Sequence, residues 1–118
     1  MSRDWKVQLE DIHQAISKIR SYLASTEYAV FAGDSRTQDA VIRNLGIIGE
    51  AARSLPEHIR MLAPEIEWRK MIGLRNLLVH EYFGISIQIV WDIVSNKLDD
   101  LDKACMRLVR ECQVDDSK

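Results

Sequence analysis

The sequence predicts an all-α protein, an up-and-down helical bundle of four main helices plus a short connecting helix. Apolar residues recur at alternating spacings of three and four along most of the chain, which places them on one face of each helix. Only 5 Gly and 2 Pro interrupt the 118 residues, too few for a protein built from many turns. No stretch alternates apolar and polar residues for long enough to indicate a β-strand.

The first helix is predicted over about residues 4–24, and "TEYAVFAGDS", which follows it, is predicted to be a loop. The apolar stripe of this helix consists of Trp5, Leu9, Ile12, Ile16, Ile19 and Leu23. Such a stripe is typical of a helix that packs one face against a core.

The second helix is predicted over about residues 36–54. Ser35 and Gln38 have the spacing of a capping box at its start, and Thr37 or Asp34 are alternative caps. Its apolar stripe consists of Val41, Leu45, Ile48, Ala52 and Leu55.

The second half of the chain predicts a short helix and then two longer ones. Pro56 stands where a short helix places its first residue, and Pro64 ends that helix. The third main helix is predicted over "EIEWRKMIGLRNLLVH", residues 65–80, and Gly84 breaks its pattern. Ser86 is predicted to cap a fourth helix of about 26 residues, or roughly 39 Å.

The length of the chain predicts one domain, and its apolar stripes predict that two copies of the chain associate. We expect a single helical domain over residues 1–112 and a flexible tail over residues 113–118. The apolar stripes exceed what one small core needs, so we expect a homodimer. The alternative, in which every stripe is buried inside one chain, stays open at this point.

The composition excludes several classes of protein. A formal net charge of −2 argues against binding nucleic acid through bulk charge. No apolar run approaches the roughly 18 residues that span a bilayer, and the charged N-terminus lacks the apolar core of a signal peptide. We therefore expect a cytoplasmic protein with no membrane contact. Cys105 and Cys112, seven residues apart on one predicted helix, are expected to be reduced core residues.

Two short motifs are better explained by structure than by chemistry. "GIIG", residues 46–49, matches a nucleic-acid clamp as a string but lies in a helical pattern. Its glycines are expected to let a neighbouring helix approach closely. Glu10 and His13 form one Glu-x-x-His pair, whereas a di-iron bundle needs two, so His13 is expected to be a partly exposed surface residue. No other spacing predicts a metal or a cofactor.

The stretch "LRNLLVHEYFG", residues 74–84, places several polar side chains in an apolar segment. On one continuous helix, Arg75 and Tyr82 lie within about 20° of each other, and Asn76 and His80 about 40° apart. His80 lies about 140° around from Arg75, so one straight helix cannot aim both at one point. Either the helix ends near His80, or two copies of the chain bring Arg75 and His80 together.

These residue types suit cleavage of a phosphodiester. A guanidinium binds phosphate oxygens and stabilises the extra charge of a transition state. An imidazole with a pKa of about 6.5 accepts a proton from a hydroxyl and returns one to a leaving group. Two such sets cleave RNA without a metal when the 2′-hydroxyl is the nucleophile. The alternative, in which Arg75 pairs with a glutamate and His80 caps a helix, stays open on composition alone.

The chain resembles the HepT-like toxins of the HEPN superfamily, small helical ribonucleases of prokaryotic toxin–antitoxin systems. "RNLLVHEY" matches their Arg-x4-His-x-Tyr motif, and "IRNLGIIGEAA", Trp68 and the segment "IVWDIVSNKLDDL" fit around it. The resemblance covers about residues 5–110.

The resemblance implies a dimer whose two copies of Arg75 and His80 line one RNA-cleaving cleft, with Asn76 orienting Arg75 or the phosphate. It also implies a partner, a minimal nucleotidyltransferase antitoxin that transfers AMP from ATP onto Tyr82. Glu50 either holds Arg75 in its working rotamer or forms a purely structural pair.

Because the chain is acidic, contacts to RNA are expected from local basic residues: Arg69, Lys70 and Arg43, with Arg53 as a further candidate. The leading alternative function is a non-catalytic helical adaptor that binds the nucleotidyltransferase.

Overall fold

The computed structural model describes residues 4–79 and 86–116, and within these ranges every regular element is an α-helix. The helices are α1 (Trp5–Leu23), α2 (Tyr28–Ala32), α3 (Ser35–Ser54), α4 (Glu57–Arg60), α5 (Trp68–Gly73), α6 (Asn76–Val79), α7 (Ile87–Asn96) and α8 (Leu98–Asp116). The predicted all-α class is confirmed. No helix of the described ranges is long and apolar enough to cross a membrane.

Polar side chains cap the long helices at the places where the sequence predicts a start. Asp34, one of the alternatives, caps α3 by accepting hydrogen bonds from Thr37 Oγ1 at 2.6 Å and Thr37 N at 3.2 Å. These bonds hold the pKa of Asp34 below its usual value. Ser86 caps α7, as predicted, by accepting from the amide of Ile89.

The segment 26–35, predicted to be a loop, contains the short helix α2, so this prediction is wrong. Phe31 is fully buried, and its ring centroid lies 5.2 Å from that of Trp91 in α7. Tyr28 meets the same indole edge-on at 5.7 Å. Contact with a distant tryptophan therefore stabilises a helix too short to stand alone.

The predicted third helix is two short helices. α5 begins at Trp68, whose indole Nε1 donates to the carbonyl of Ala63 at 3.0 Å, and it ends at Gly73. Arg75 N then donates to the carbonyl of Ile72, three residues back, at 3.1 Å. The break between α5 and α6 therefore falls at Leu74 and Arg75.

The predicted fourth helix is divided at Lys97, between α7 and α8. Lys97 N donates to the carbonyl of Ile93 at 2.9 Å where α7 ends. Val90 on α7 and Leu98 on α8 are both buried, so both helices contribute to the core. Since α8 runs to Asp116, the helix passes residue 112, and the division into a domain and a tail stays a prediction.

The core lies where α1 packs against α3 and α8. Its fully buried side chains include Leu9, Ile12, Ile16, Leu45, Ile48 and Leu101, which come from the predicted stripes. Cys105 is buried and free, as predicted. Burial, and then the charge of Asp102, raises the pKa of Cys105 to about 12, so its thiol stays neutral. The side chain of Cys112 lies outside the described residues.

His13 is 41% exposed and donates from Nδ1 to Asp102 Oδ1 at 2.7 Å. The prediction of a partly exposed surface histidine is confirmed. Its partner is a carboxylate of α8, so the contact ties α1 to α8.

Candidate functional site

Arg75 lies in the turn between α5 and α6, beside the outer face of α3. Its Nε donates to Glu50 Oε2 at 3.0 Å. The Arg75 and Glu50 side chains are 33% and 49% exposed, so solvent reaches both. Neither terminal nitrogen of Arg75 bonds to another described residue. Among the described residues the guanidinium is therefore held through Nε alone, and the four N–H groups of its two terminal nitrogens remain to donate to a ligand.

The Glu50–Arg75 pair orients a side chain more than it stabilises the fold. Ion pairs this exposed contribute about 0–1 kcal/mol to stability. A carboxylate that accepts from Nε, however, fixes the direction in which the two terminal nitrogens point. The predicted pairing of Glu50 is observed, and both interpretations of it, structural and orienting, are compatible with this geometry.

Gly49, next to Glu50, allows α3 to approach the main chain of the turn at Leu74 and Arg75, here called the arginine turn. A Cβ atom built on Gly49 lies 2.1 Å from Arg75 N and 2.7 Å from the carbonyl carbon of Leu74. The close approach predicted from "GIIG" is thus observed at its second glycine, and the neighbour is the turn that carries Arg75. Glycine directly before Glu50 is the signal in the sequence that points to this contact.

The other motif residues are only partly described. Asn76 begins α6 and is exposed, one residue after Arg75. His80 and Tyr82 lie outside the described residues. The predicted meeting of Arg75 with His80, within one chain or across two, stays a prediction.

The basic residues predicted to contact RNA are exposed. Arg43 on α3 and Arg69 on α5 have no ion-pair partner among the described residues. Lys70 Nζ lies 2.9 Å from Glu67 Oε2, and its hydrogen bond and charge hold the pKa of Glu67 below its usual value. Arg43 and Arg69 are therefore freer than Lys70 to meet a phosphate.

The fold and the site define a small all-α protein that presents an anchored arginine at its surface. Residues 12–108 match the family described as "Ribonuclease HepT-like". The chain is 41% identical over 101 residues to a "Probable ribonuclease HepT" of Thermococcus cleftensis, covering 86% of this chain and 92% of that protein. It is 36% identical over 114 residues to a Methanocaldococcus jannaschii protein whose description names an RNase, covering 97% and 94%.

The protein belongs to the HepT-like ribonuclease family, and the family inferred from the Arg-x4-His-x-Tyr motif is confirmed. A solved structure described as a toxin–antitoxin with AMP-PNP has the same fold. It matches with a TM-score of 0.67 at 24% identity and covers 92% of this chain and 99% of that one.

Proposed function

We propose that this protein is a metal-independent endoribonuclease, the toxin of a prokaryotic toxin–antitoxin system. Membership of the HepT-like ribonuclease family supports the reaction class. The observation that carries the proposal is the Arg75 guanidinium, which Glu50 holds through Nε and whose two terminal nitrogens have no partner in the part of the chain that the structure describes. Such a group binds a phosphodiester and stabilises its transition state.

In the proposed reaction, His80 accepts the proton of the RNA 2′-hydroxyl, whose oxygen attacks the adjacent phosphorus. The bond from phosphorus to the 5′-oxygen breaks, and a protonated histidine returns a proton to that oxygen. The products are a 2′,3′-cyclic phosphate and a 5′-hydroxyl. Arg75 stabilises the charge on the phosphoryl oxygens, and Asn76 orients Arg75 or the phosphate.

In-line attack places the 2′-oxygen and the leaving 5′-oxygen on opposite sides of the phosphorus, which suits one histidine on each side. The proposed site is therefore composite, with Arg75 and His80 from both copies of a homodimer. Arg43, Arg69 and Lys70 are proposed to bind RNA phosphates beside it. All three are exposed, which supports this role in a chain of net charge −2.

The proposed partner is a minimal nucleotidyltransferase antitoxin that adenylylates Tyr82. The structural neighbour described as a toxin–antitoxin with AMP-PNP supports an antitoxin partner. In this step the Tyr82 phenol oxygen attacks the α-phosphorus of ATP, pyrophosphate leaves, and the phenol proton passes to solvent. The added AMP brings bulk and negative charge to within two residues of His80, where the RNA phosphate must bind.

The decisive experiment measures cleavage of a fluorogenic RNA, in the presence of EDTA, by the wild type, Arg75→Ala and His80→Ala. Each substitution is expected to lower the cleavage rate at least about 100-fold and to abolish growth inhibition, while the circular dichroism spectrum is unchanged. Arg110→Ala is the matched control, because Arg110 is an exposed arginine on α8 and is expected to be dispensable.

Other results would contradict the proposal in distinct ways. If Arg75→Ala or His80→Ala folds and cleaves RNA at the wild-type rate, the catalytic role assigned to that residue is wrong. Cleavage that needs an added divalent metal contradicts the mechanism. A wild type that binds the transferase but does not cleave RNA favours the second candidate, the non-catalytic adaptor, which the toxin–antitoxin neighbour also supports.

A further inference from the structure

We infer that Gly49 is a positioning residue for Arg75. Because Gly49 has no side chain, the main chain of α3 contacts the main chain of the turn between α5 and α6. At this short distance Glu50 reaches the Arg75 guanidinium. The inference rests on the proposed ribonuclease function, because it concerns the arginine assigned to the phosphate.

The contact at Gly49 leaves no room for any other residue. A Cβ atom there lies 2.1 Å from Arg75 N, 2.7 Å from Leu74 C and 2.9 Å from Arg75 Cα, well inside van der Waals contact. All three atoms belong to the main chain, so no flexible side chain can move aside. A larger residue at position 49 must push the whole turn away from α3, and Arg75 moves with it.

The two neighbouring residues of α3 act together on the turn. Gly49 sets how closely the main chain of Arg75 approaches, and Glu50 accepts from Arg75 Nε at 3.0 Å. A displaced turn changes both the Nε–Oε2 distance and the direction of the two terminal nitrogens. Misplacing a group by about 1 Å costs a reaction on the order of 100-fold in rate.

Two other glycines, Gly33 and Gly73, do not share this property. A Cβ on Gly73, two residues before Arg75, meets nothing within 4 Å, and a Cβ on Gly33 makes ordinary contacts at 3.8 and 3.9 Å. Gly73 is the matched control. Gly73→Ala also replaces a glycine by alanine, at the end of α5 and close to Arg75, but without a clash. Since alanine favours a helix over glycine, Gly73→Ala should keep or raise the melting temperature.

The test compares Gly49→Ala with Gly73→Ala by two readouts. In a proton–nitrogen NMR spectrum, the Arg75 Nε–H signal is identified by its loss in Arg75→Lys. We expect Gly49→Ala to shift that signal or broaden it through exchange with water, and Gly73→Ala to leave it in place. We also expect Gly49→Ala to lower kcat about 10- to 100-fold, with KM within about threefold of the wild type.

The outcomes separate this inference from the proposed function. An unchanged Arg75 signal and unchanged kcat in Gly49→Ala overturn the inference, even when Arg75→Ala is inactive. Full cleavage by Arg75→Ala overturns the proposed function, while the NMR signal still tests the positioning. If Gly49→Ala does not fold, it is combined with Gly73→Ala. A double variant that is also unfolded makes Gly49 a requirement for folding alone and overturns the inference.

Discussion

The Glu50–Arg75 pair contributes direction and little stability. Both side chains are partly exposed, and an exposed ion pair adds at most about 1 kcal/mol. What Glu50 supplies is an acceptor for Nε, and among the described residues neither terminal nitrogen of Arg75 has a partner. An arginine does not transfer protons at neutral pH, so the site also needs proton-transfer groups. In the proposed mechanism these are the His80 side chains of the two copies.

Tyr82 is the residue through which the proposed antitoxin acts, and it is tested by mass spectrometry of the chain co-expressed with its transferase. The peptide that contains Tyr82 is expected to gain the mass of one or more AMP groups, and the modified wild type to lose RNA cleavage. Tyr82→Phe should fold and remain unmodified. Tyr22→Phe is the control, since Tyr22 is an exposed tyrosine, at 42%, that lies outside the motif. If the Tyr82 peptide gains no mass, the proposed control by adenylylation is wrong.

At the scale of helices, two carboxylates of α8, Asp102 and Asp99, tie it to α1. Asp102, with a side chain 13% exposed, accepts from His13 at 2.7 Å and from Arg20 Nη1 at 2.9 Å. Arg20 also bonds to Asp99, whose side chain is 73% exposed. The two aspartates share Arg20 as a partner, but Asp102 is more buried and also accepts from His13.

This difference predicts unequal losses of stability. Asp102→Ala leaves His13 and Arg20 without their less exposed acceptor and is expected to lower the free energy of unfolding by about 1–3 kcal/mol. Asp99→Ala removes a solvated contact and is expected to cost at most about 1 kcal/mol. Urea unfolding followed by circular dichroism measures both. Equal losses would show that the burial of Asp102 has no part in joining the helices.

For the whole molecule, the surface of α7 bears on the proposed dimer. Of its ten residues, in the sequence "IQIVWDIVSN", only Val90 is buried, and Ile89 is 62% exposed. Four more apolar residues of this helix are partly buried against the core: Ile87, Trp91, Ile93 and Val94. Ile89 is therefore the apolar side chain of α7 that we expect a second copy to cover, in agreement with the surplus of apolar stripe in the sequence.

The homodimer is expected to scatter light with about twice the mass of the 13.6 kDa chain at micromolar concentration. Ile89→Asp should raise the fraction of monomer and lower RNA cleavage together, because the proposed site needs both copies. Leu62→Asp is the control, since Leu62 is similarly exposed, at 54%, but lies after α4. A monomeric wild type that still cleaves RNA would contradict the composite site.

The amino-acid sequence by itself determined the helical class, the family and the long helices. Predicted bounds of 4–24 and 36–54 compare with Trp5–Leu23 and Ser35–Ser54 in the structure. These helices are long and carry regular stripes and caps, so local periodicity contains enough information to place them. The motif at residues 75–82 likewise identified the family, because it is a short local pattern.

Only the tertiary structure decided α2, the division of the predicted third and fourth helices, and the surroundings of Arg75. α2 depends on Phe31 meeting Trp91, sixty residues away, and the apolar spacing predicted one helix across each of the breaks after Gly73 and at Lys97. From the sequence, Glu50 either orients Arg75 or forms a structural pair, and the glycines of residues 46–49 predict a close approach by an element that the sequence does not identify. That partner is the arginine turn, because only packing of α3 on α5 and α6 brings residues 49 and 50 against residue 75. Periodicity along one helix contains no information about such a contact.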